Sequence, residues 1–237
     1  MAGLLMAVIA PLQTPAHAAG QVTRLVVWGD SMTQVWPQYL DRLLGIPVVY
    51  KGAGGTNVQY AETGLKAWVN DPANAATRST TGHICWCGHT NYNSTNVNNG
   101  TGPDTIMPTL LRMADLLPLG LFRPIGLTNG PADPKGSDGY KTIVDDGLPN
   151  PSRTALNERM ADAFGAGSKY GAQYAEVRGY LVSNGLAMAG MTATATDTAN
   201  IRDDIPPRSL RTDSGNPAHL NDAGKYVTAQ RLAQLLR

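Results

Sequence analysis

Apolar residues in this chain gather into short runs that end at glycine or at small polar residues, and the stretches between the runs are amphipathic. The clearest run is Leu25-Val26-Val27-Trp28, which shows no alternation and breaks at Gly29-Asp30-Ser31-Met32-Thr33. A strand covered on both faces of a parallel sheet needs no alternation, so this run predicts a core strand that ends at a polar turn. From Pro37 the spacing changes: Trp36, Leu40, Leu43 and Leu44 share one helical face, with proline near the start and Gly45 and Pro47 at the end. Pro47 to Tyr50 reads as a second strand, and strand, helix, strand makes a βαβ unit with a right-handed crossover.

The same alternation continues. A helix is expected from about Tyr60 to Val69, a third strand from His83 to Cys87, and a helix from Thr105 to Leu117 through Ile106, Leu110, Met113 and Leu117. Tyr92 to Asp104, rich in Asn, Gly and Thr, has no hydrophobic period and reads as a long surface loop. Phe122 to Leu127 predicts a fourth strand, and Gly130 to Asn150 a turn-rich binding loop or lid. Ser152 is positioned to cap a helix running through Phe164, and Gln173 to Val177 predicts a fifth strand. Tyr180 to Asp204 shows no single period. Asn221 or Asp222 caps a closing helix in which Tyr226, Ala229, Leu232, Ala233 and Leu236 share a face. Five strands alternating with helices predict an α/β fold, a three-layer α/β/α sandwich on a mainly parallel sheet.

Composition narrows the partners. The 237 residues are enough for one sizeable core, and 42% hydrophobic with 16% charged residues fits a soluble globular protein. A net charge of +1 offers no electrostatic reason for nucleic acid or an anionic membrane as partner. Residues 1–19 differ from the rest: the apolar stretch Leu4 to Ala10, then Pro11, Pro15 and Ala16-His17-Ala18, has the order of a secretory leader cleaved after Ala18. No Lys or Arg precedes Arg24, so the usual basic start of a leader is missing. The stretch is too short to span a bilayer as a helix. A secreted or periplasmic location follows, with residues 20–237 as a single domain.

The two cysteines, Cys85 and Cys87, flank Trp86. On one strand they would point to opposite faces, which opposes a disulfide, and two thiols without further ligands make a poor zinc site. Buried free thiols acting as small apolar residues is the better reading. No metal or other cofactor is expected.

Gly29-Asp30-Ser31-Met32 resembles the Gly-Asp-Ser-Leu block of the GDSL, or SGNH, esterases and lipases, with Met in place of Leu. The other blocks of that family follow in order: Gly55 in the glycine-rich turn after the second strand, Asn91 in Gly88-His89-Thr90-Asn91 after the third, and His219 in His219-Leu220-Asn221 before the last helix. The turn at Asn91 carries one residue more than the family's usual Gly-x-Asn-Asp. The resemblance implies a flavodoxin-like fold with strand order 2-1-3-4-5 and a serine esterase acting through an acyl-enzyme on Ser31.

A serine hydroxyl needs a base to take its proton and donors to hold the oxyanion. His219 is the candidate base; His17 lies in the leader, His83 reads as a core histidine, and His89 lies too near the oxyanion position. The resemblance assigns the oxyanion to the backbone N–H groups of Ser31 and Gly55 and the side-chain amide of Asn91. It also places an Asp three residues before the His, where this chain has Asn216; Asp213 stands six before. An insertion around Gly215 to Pro217 leaves Asp213 as the orienting acid, whereas a point change leaves Asn216, and an Asn amide neither fixes the tautomer nor stabilises imidazolium well. The substrate class implied is a small-molecule or carbohydrate carboxylic ester, with short acyl groups or acetylated sugars favoured. Two alternatives stay open on the same fold. One is a catalytically impaired glycan-binding or structural module, favoured by the displaced acid; the other is an acyltransferase using the same residues.

Overall fold

The computed structural model describes residues 22–131, 153–212 and 218–237. The proposed leader, residues 1–19, and most of the expected loop from Gly130 to Asn150 lie outside them.

Among the described residues four parallel strands form the sheet: β1 (Arg24–Gly29), β2 (Val48–Tyr50), β3 (Thr81–Trp86) and β4 (Phe122–Pro124), in the order β2-β1-β3-β4. β1 and β3 are the central pair, in register from Arg24 opposite Thr81 to Gly29 opposite Trp86. Every residue of β3 is buried, as is every residue of β1 after Arg24, which is why these segments are apolar without alternation.

The expected fifth strand is a correction. Among the described residues a single bridge joins Ile125 to Ala175 at that edge. Ala175 donates its N–H to the Pro124 carbonyl at 2.9 Å, while the Ile125 N–H points the other way, to Cys85. Pro124 has no N–H to return toward the Ala175 segment, so the ladder stops after one rung.

The helices are α1 (Trp36–Leu44), α2 (Val58–Asn70), α3 (Ser94–Asn98), α4 (Ile106–Asp115), α5 (Arg153–Phe164), α6 (Arg178–Met188), α7 (Ala195–Arg202) and α8 (Asp222–Leu236). α1 packs against α8, and α2 packs against α4. Side-chain caps set several starts: Asn57 accepts from the Tyr60 N–H, Thr194 and Asp197 form a reciprocal capping box, and Asn221 accepts from the Gly224 N–H. α1 ends at Gly45, whose φ of 68° suits a residue without a Cβ.

Two stretches differ from expectation. Tyr92 to Asp104 is not a plain loop, since it holds α3 between two short 3₁₀ turns, Thr90–Tyr92 and Pro103–Thr105. Asn93 caps α3 by accepting from the Asn96 N–H, and Asn96 donates its amide to the Thr90 carbonyl. Polar side chains supply the organisation here, and hydrophobic period cannot report it. Tyr180 to Asp204, which no period could place, divides between α6 and α7.

Candidate functional site

The site lies at the carboxyl ends of the strands. β1 ends at Gly29, where a Cβ would come within 2.3 Å of the Trp86 carbonyl oxygen, so the closeness of β1 to β3 depends on glycine. The chain then turns through Asp30 into a 3₁₀ turn, Ser31–Thr33. Asp30 caps that turn with its side chain accepting from the Met32 N–H at 2.9 Å, and the Thr33 hydroxyl donates to the Asp30 carbonyl at 2.6 Å. This local bonding presents Ser31 at the rim.

His219 arrives from the opposite end of the chain. The preceding segment forms an antiparallel bridge from Arg211 to Leu220, with the Thr212 N–H donating to the His219 carbonyl and the Asn221 N–H to the Leu210 carbonyl. Asn221 caps α8 and also donates its amide to the carbonyls of Ser209 and Arg211. Held in this clip, His219 places Nε2 2.8 Å from the Ser31 Oγ. Burial lowers the His219 pKa from its ordinary value, and the negative charge of Asp30 acts in the opposite direction. The imidazole is thereby biased toward its neutral, proton-accepting form.

The turn after β2 folds over the same place. A side chain on Gly54 would reach within 3.9 Å of the Ser31 Cβ, so this turn adjoins the serine. Gly55 takes a φ of 76°, a left-handed conformation that favours glycine. Neither the Ser31 N–H nor the Gly55 N–H donates to a partner among the described residues.

Asn91, whose side-chain amide the resemblance assigns to the oxyanion, makes its contacts within the protein. It is fully buried; its Nδ2 donates to the Thr101 carbonyl at 2.7 Å and to Gln59 Oε1 at 3.1 Å, and its Oδ1 accepts from the Val58 N–H at 3.0 Å. Both amide hydrogens are engaged, one at the start of α2 and the other at the segment after α3, so the side chain ties the turn after β3 to both. Asp213 and Asn216, the two candidates for orienting His219, lie outside the described residues.

His83 is a core histidine, as the sequence implies. It stacks on Trp28, takes a hydrogen bond from the Trp28 Nε1–H at 3.1 Å, and meets Trp68 edge-on. Burial pushes its pKa down to about 3. Cys85 and Cys87 are both free and buried, and burial raises both thiols above their ordinary range.

Sequence reasoning gave no role to three residues, Asp30, His89 and Thr128, having set His89 aside as the base. The Asp30 carboxylate, fully buried, also accepts from the N–H groups of Gly88 at 3.2 Å and His89 at 3.1 Å. His89 Nδ1 stands 3.4 Å from the same carboxylate, and Thr128 donates its N–H to His89 Nε2 at 3.2 Å. An acid inside an otherwise apolar strand end, with a histidine at the end of the neighbouring strand, was the available signal.

No family profile and no curated protein match this sequence. Solved structures do. A GDSL-like lipase from Bacteroides thetaiotaomicron superposes with a TM-score of 0.52 at 11% identity, over 90% of this chain and 87% of that one. A member of the lipolytic G-D-S-L family from Veillonella parvula gives 0.53 at 14% identity, over 90% and 97% respectively. The chain therefore has the flavodoxin-like α/β fold of the SGNH/GDSL group, as its sequence blocks imply.

Proposed function

We propose that this protein is a secreted or periplasmic serine esterase of the SGNH type, acting on carboxylic esters with short acyl groups, acetylated carbohydrates among them. The observation that carries this reading is the 2.8 Å approach of Ser31 Oγ to His219 Nε2. At that distance the imidazole can accept the hydroxyl proton as the oxygen attacks.

Ser31 Oγ bonds to the acyl carbon, its proton passes to His219 Nε2, and the carbonyl electrons move onto the oxygen. The N–H groups of Ser31 and Gly55 hold that oxyanion. Collapse breaks the bond to the alcohol oxygen, which takes the proton from Nε2, and leaves the acyl-enzyme. Water then repeats the sequence: its proton goes to Nε2, its oxygen bonds to the acyl carbon, and collapse releases the acid and returns the proton to Ser31 Oγ. Asp213 is assigned the orienting role on His219 Nδ1, with Asn216 the competing candidate.

The test is hydrolysis of a short-chain aryl ester and release of acetate from an acetylated polysaccharide, with the Ser31→Ala variant alongside. Loss of both activities in the variant supports the assignment, and equal activity overturns it. Product analysis with an added acceptor alcohol separates hydrolysis from acyl transfer. Binding of acetylated polysaccharide without acetate release would favour the non-catalytic module.

A further inference from the structure

Beneath the Ser31–His219 pair lies a second acid and imidazole that the reaction outlined above does not use. Asp30 has no solvent exposure, and its two carboxylate oxygens face three backbone N–H groups, one from its own turn at Met32 and two from the end of β3 at Gly88 and His89. His89 Nδ1 stands 3.4 Å from Oδ2 of Asp30. The far nitrogen of the ring, Nε2, accepts from the N–H of Thr128, which lies just beyond β4 and is itself buried. An acceptor at Nε2 puts the proton of the neutral ring on Nδ1, which lies near the carboxylate without making a hydrogen bond to it. The ring also meets Trp86 edge-on at a centroid separation of 6.0 Å, which limits its rotation.

These contacts join the carboxyl ends of three adjacent strands, β1, β3 and β4, through two side chains. Burial alone would raise the Asp30 pKa, but the facing His89 and the N–H groups of Met32 and Gly88 outweigh it, so the carboxyl titrates below its ordinary value. A buried carboxylate held charged one residue from the nucleophile is a fixed negative charge in a medium that screens poorly. Among the described residues, the charged or titratable groups acting on His219 are Asp30, His89 and, from α8, Lys225; of these Asp30 alone favours imidazolium.

We propose that Asp30 and His89 form a buried positioning pair that sets the Ser31 turn, and that the Asp30 carboxylate is a standing negative charge, additional to the acid that orients His219, that stabilises protonated His219 during reaction. The proposal rests on the reading of Ser31 and His219 as an esterase pair. Asp30 acts through His219 and through the turn, and His89 acts through Asp30. Neither needs to touch substrate.

The experiment compares the parent with Asp30→Asn, measuring kcat and KM for a short-chain aryl ester against pH, with a fluorophosphonate to count reactive Ser31. With the carboxylate charge gone, kcat per labelled site should fall about tenfold or more at little change in KM, and the acid limb should move down by roughly half a pH unit or more. An unchanged limb with an unchanged rate per labelled site overturns the proposal, even where the labelled fraction drops, because that pattern is purely structural. Should Asp30→Asn not fold, His89→Phe keeps the ring on Trp86 and deletes both nitrogens: a fall in kcat per labelled site supports the pair, and a parent-like rate overturns it. A parent that neither labels nor turns over would instead remove the esterase reading itself.

Discussion

Ser31 Oγ and His219 Nε2 lie 2.8 Å apart although 188 residues separate them in the chain. If this contact is the proton-transfer pair, Ser31→Ala should abolish ester turnover, and His219→Ala should lower kcat by about 10³ or more. Circular dichroism on each variant checks that the fold persists; a His219→Ala variant with parent-like kcat would remove histidine from the mechanism.

The pH dependence has a definite sign. Burial lowers the His219 pKa from its ordinary value of 6.5, and the base must be neutral to accept the serine proton. Activity should rise as pH increases through that lowered pKa and stay on its plateau at neutral pH. A kcat/KM profile for the free enzyme with its acid limb centred well above 6.5 would contradict the burial seen here.

Asn91 should matter to stability before it matters to rate. Its buried side chain makes three hydrogen bonds, so Asn91→Ala strands partners on two segments and should cost about 3 kcal/mol in urea unfolding. The opposite result, an unchanged unfolding midpoint with a loss on the order of 10² to 10³ in turnover, would restore Asn91 as an oxyanion donor.

His83 makes the fold acid-sensitive. Its pKa falls from 6.5 to about 3 on burial, so in acid the unfolded chain binds a proton that the folded chain refuses. The stability from keeping His83 neutral is complete above about pH 6.5 and is lost as pH falls toward 3, at roughly 1.4 kcal/mol per unit. Between pH 7 and pH 5 the parent should therefore lose about 2 kcal/mol more than His83→Phe, measured by denaturant unfolding of both.

Gly29→Ala should be disruptive out of proportion to one methyl group. Its Cβ would lie 2.1 Å from Thr33 Cγ2 and 2.3 Å from the Trp86 carbonyl oxygen, the latter on a neighbouring strand. The variant should lose at least about 2 kcal/mol of stability, together with activity, because β1 and β3 must part at the serine turn. Parent-like melting and turnover would show that the two strand ends tolerate separation.

Much of the architecture was legible because burial writes itself into local pattern. The run before Gly29, the face of α1 and the Asn221 cap each reflect forces acting within a few residues, and each element formed within a residue or two of expectation. Where polar groups organise the chain the pattern was silent. Asn93 and Asn96 build α3 without a hydrophobic period, and Pro124 cuts the last ladder short through a missing hydrogen that matters only once a neighbouring strand is in place.

The sequence by itself determined four of the strands and most of the helices around them, and its residue types and family-like blocks marked Ser31 as the candidate nucleophile and His219 as the candidate base. Only the tertiary structure decided that the two meet, that the Asn91 amide is consumed inside the protein, and that Asp30 and His89 lie together under the serine. Those are relations between residues distant in the chain. Their geometry is set by how the strands pack side by side, which no local stretch of sequence encodes.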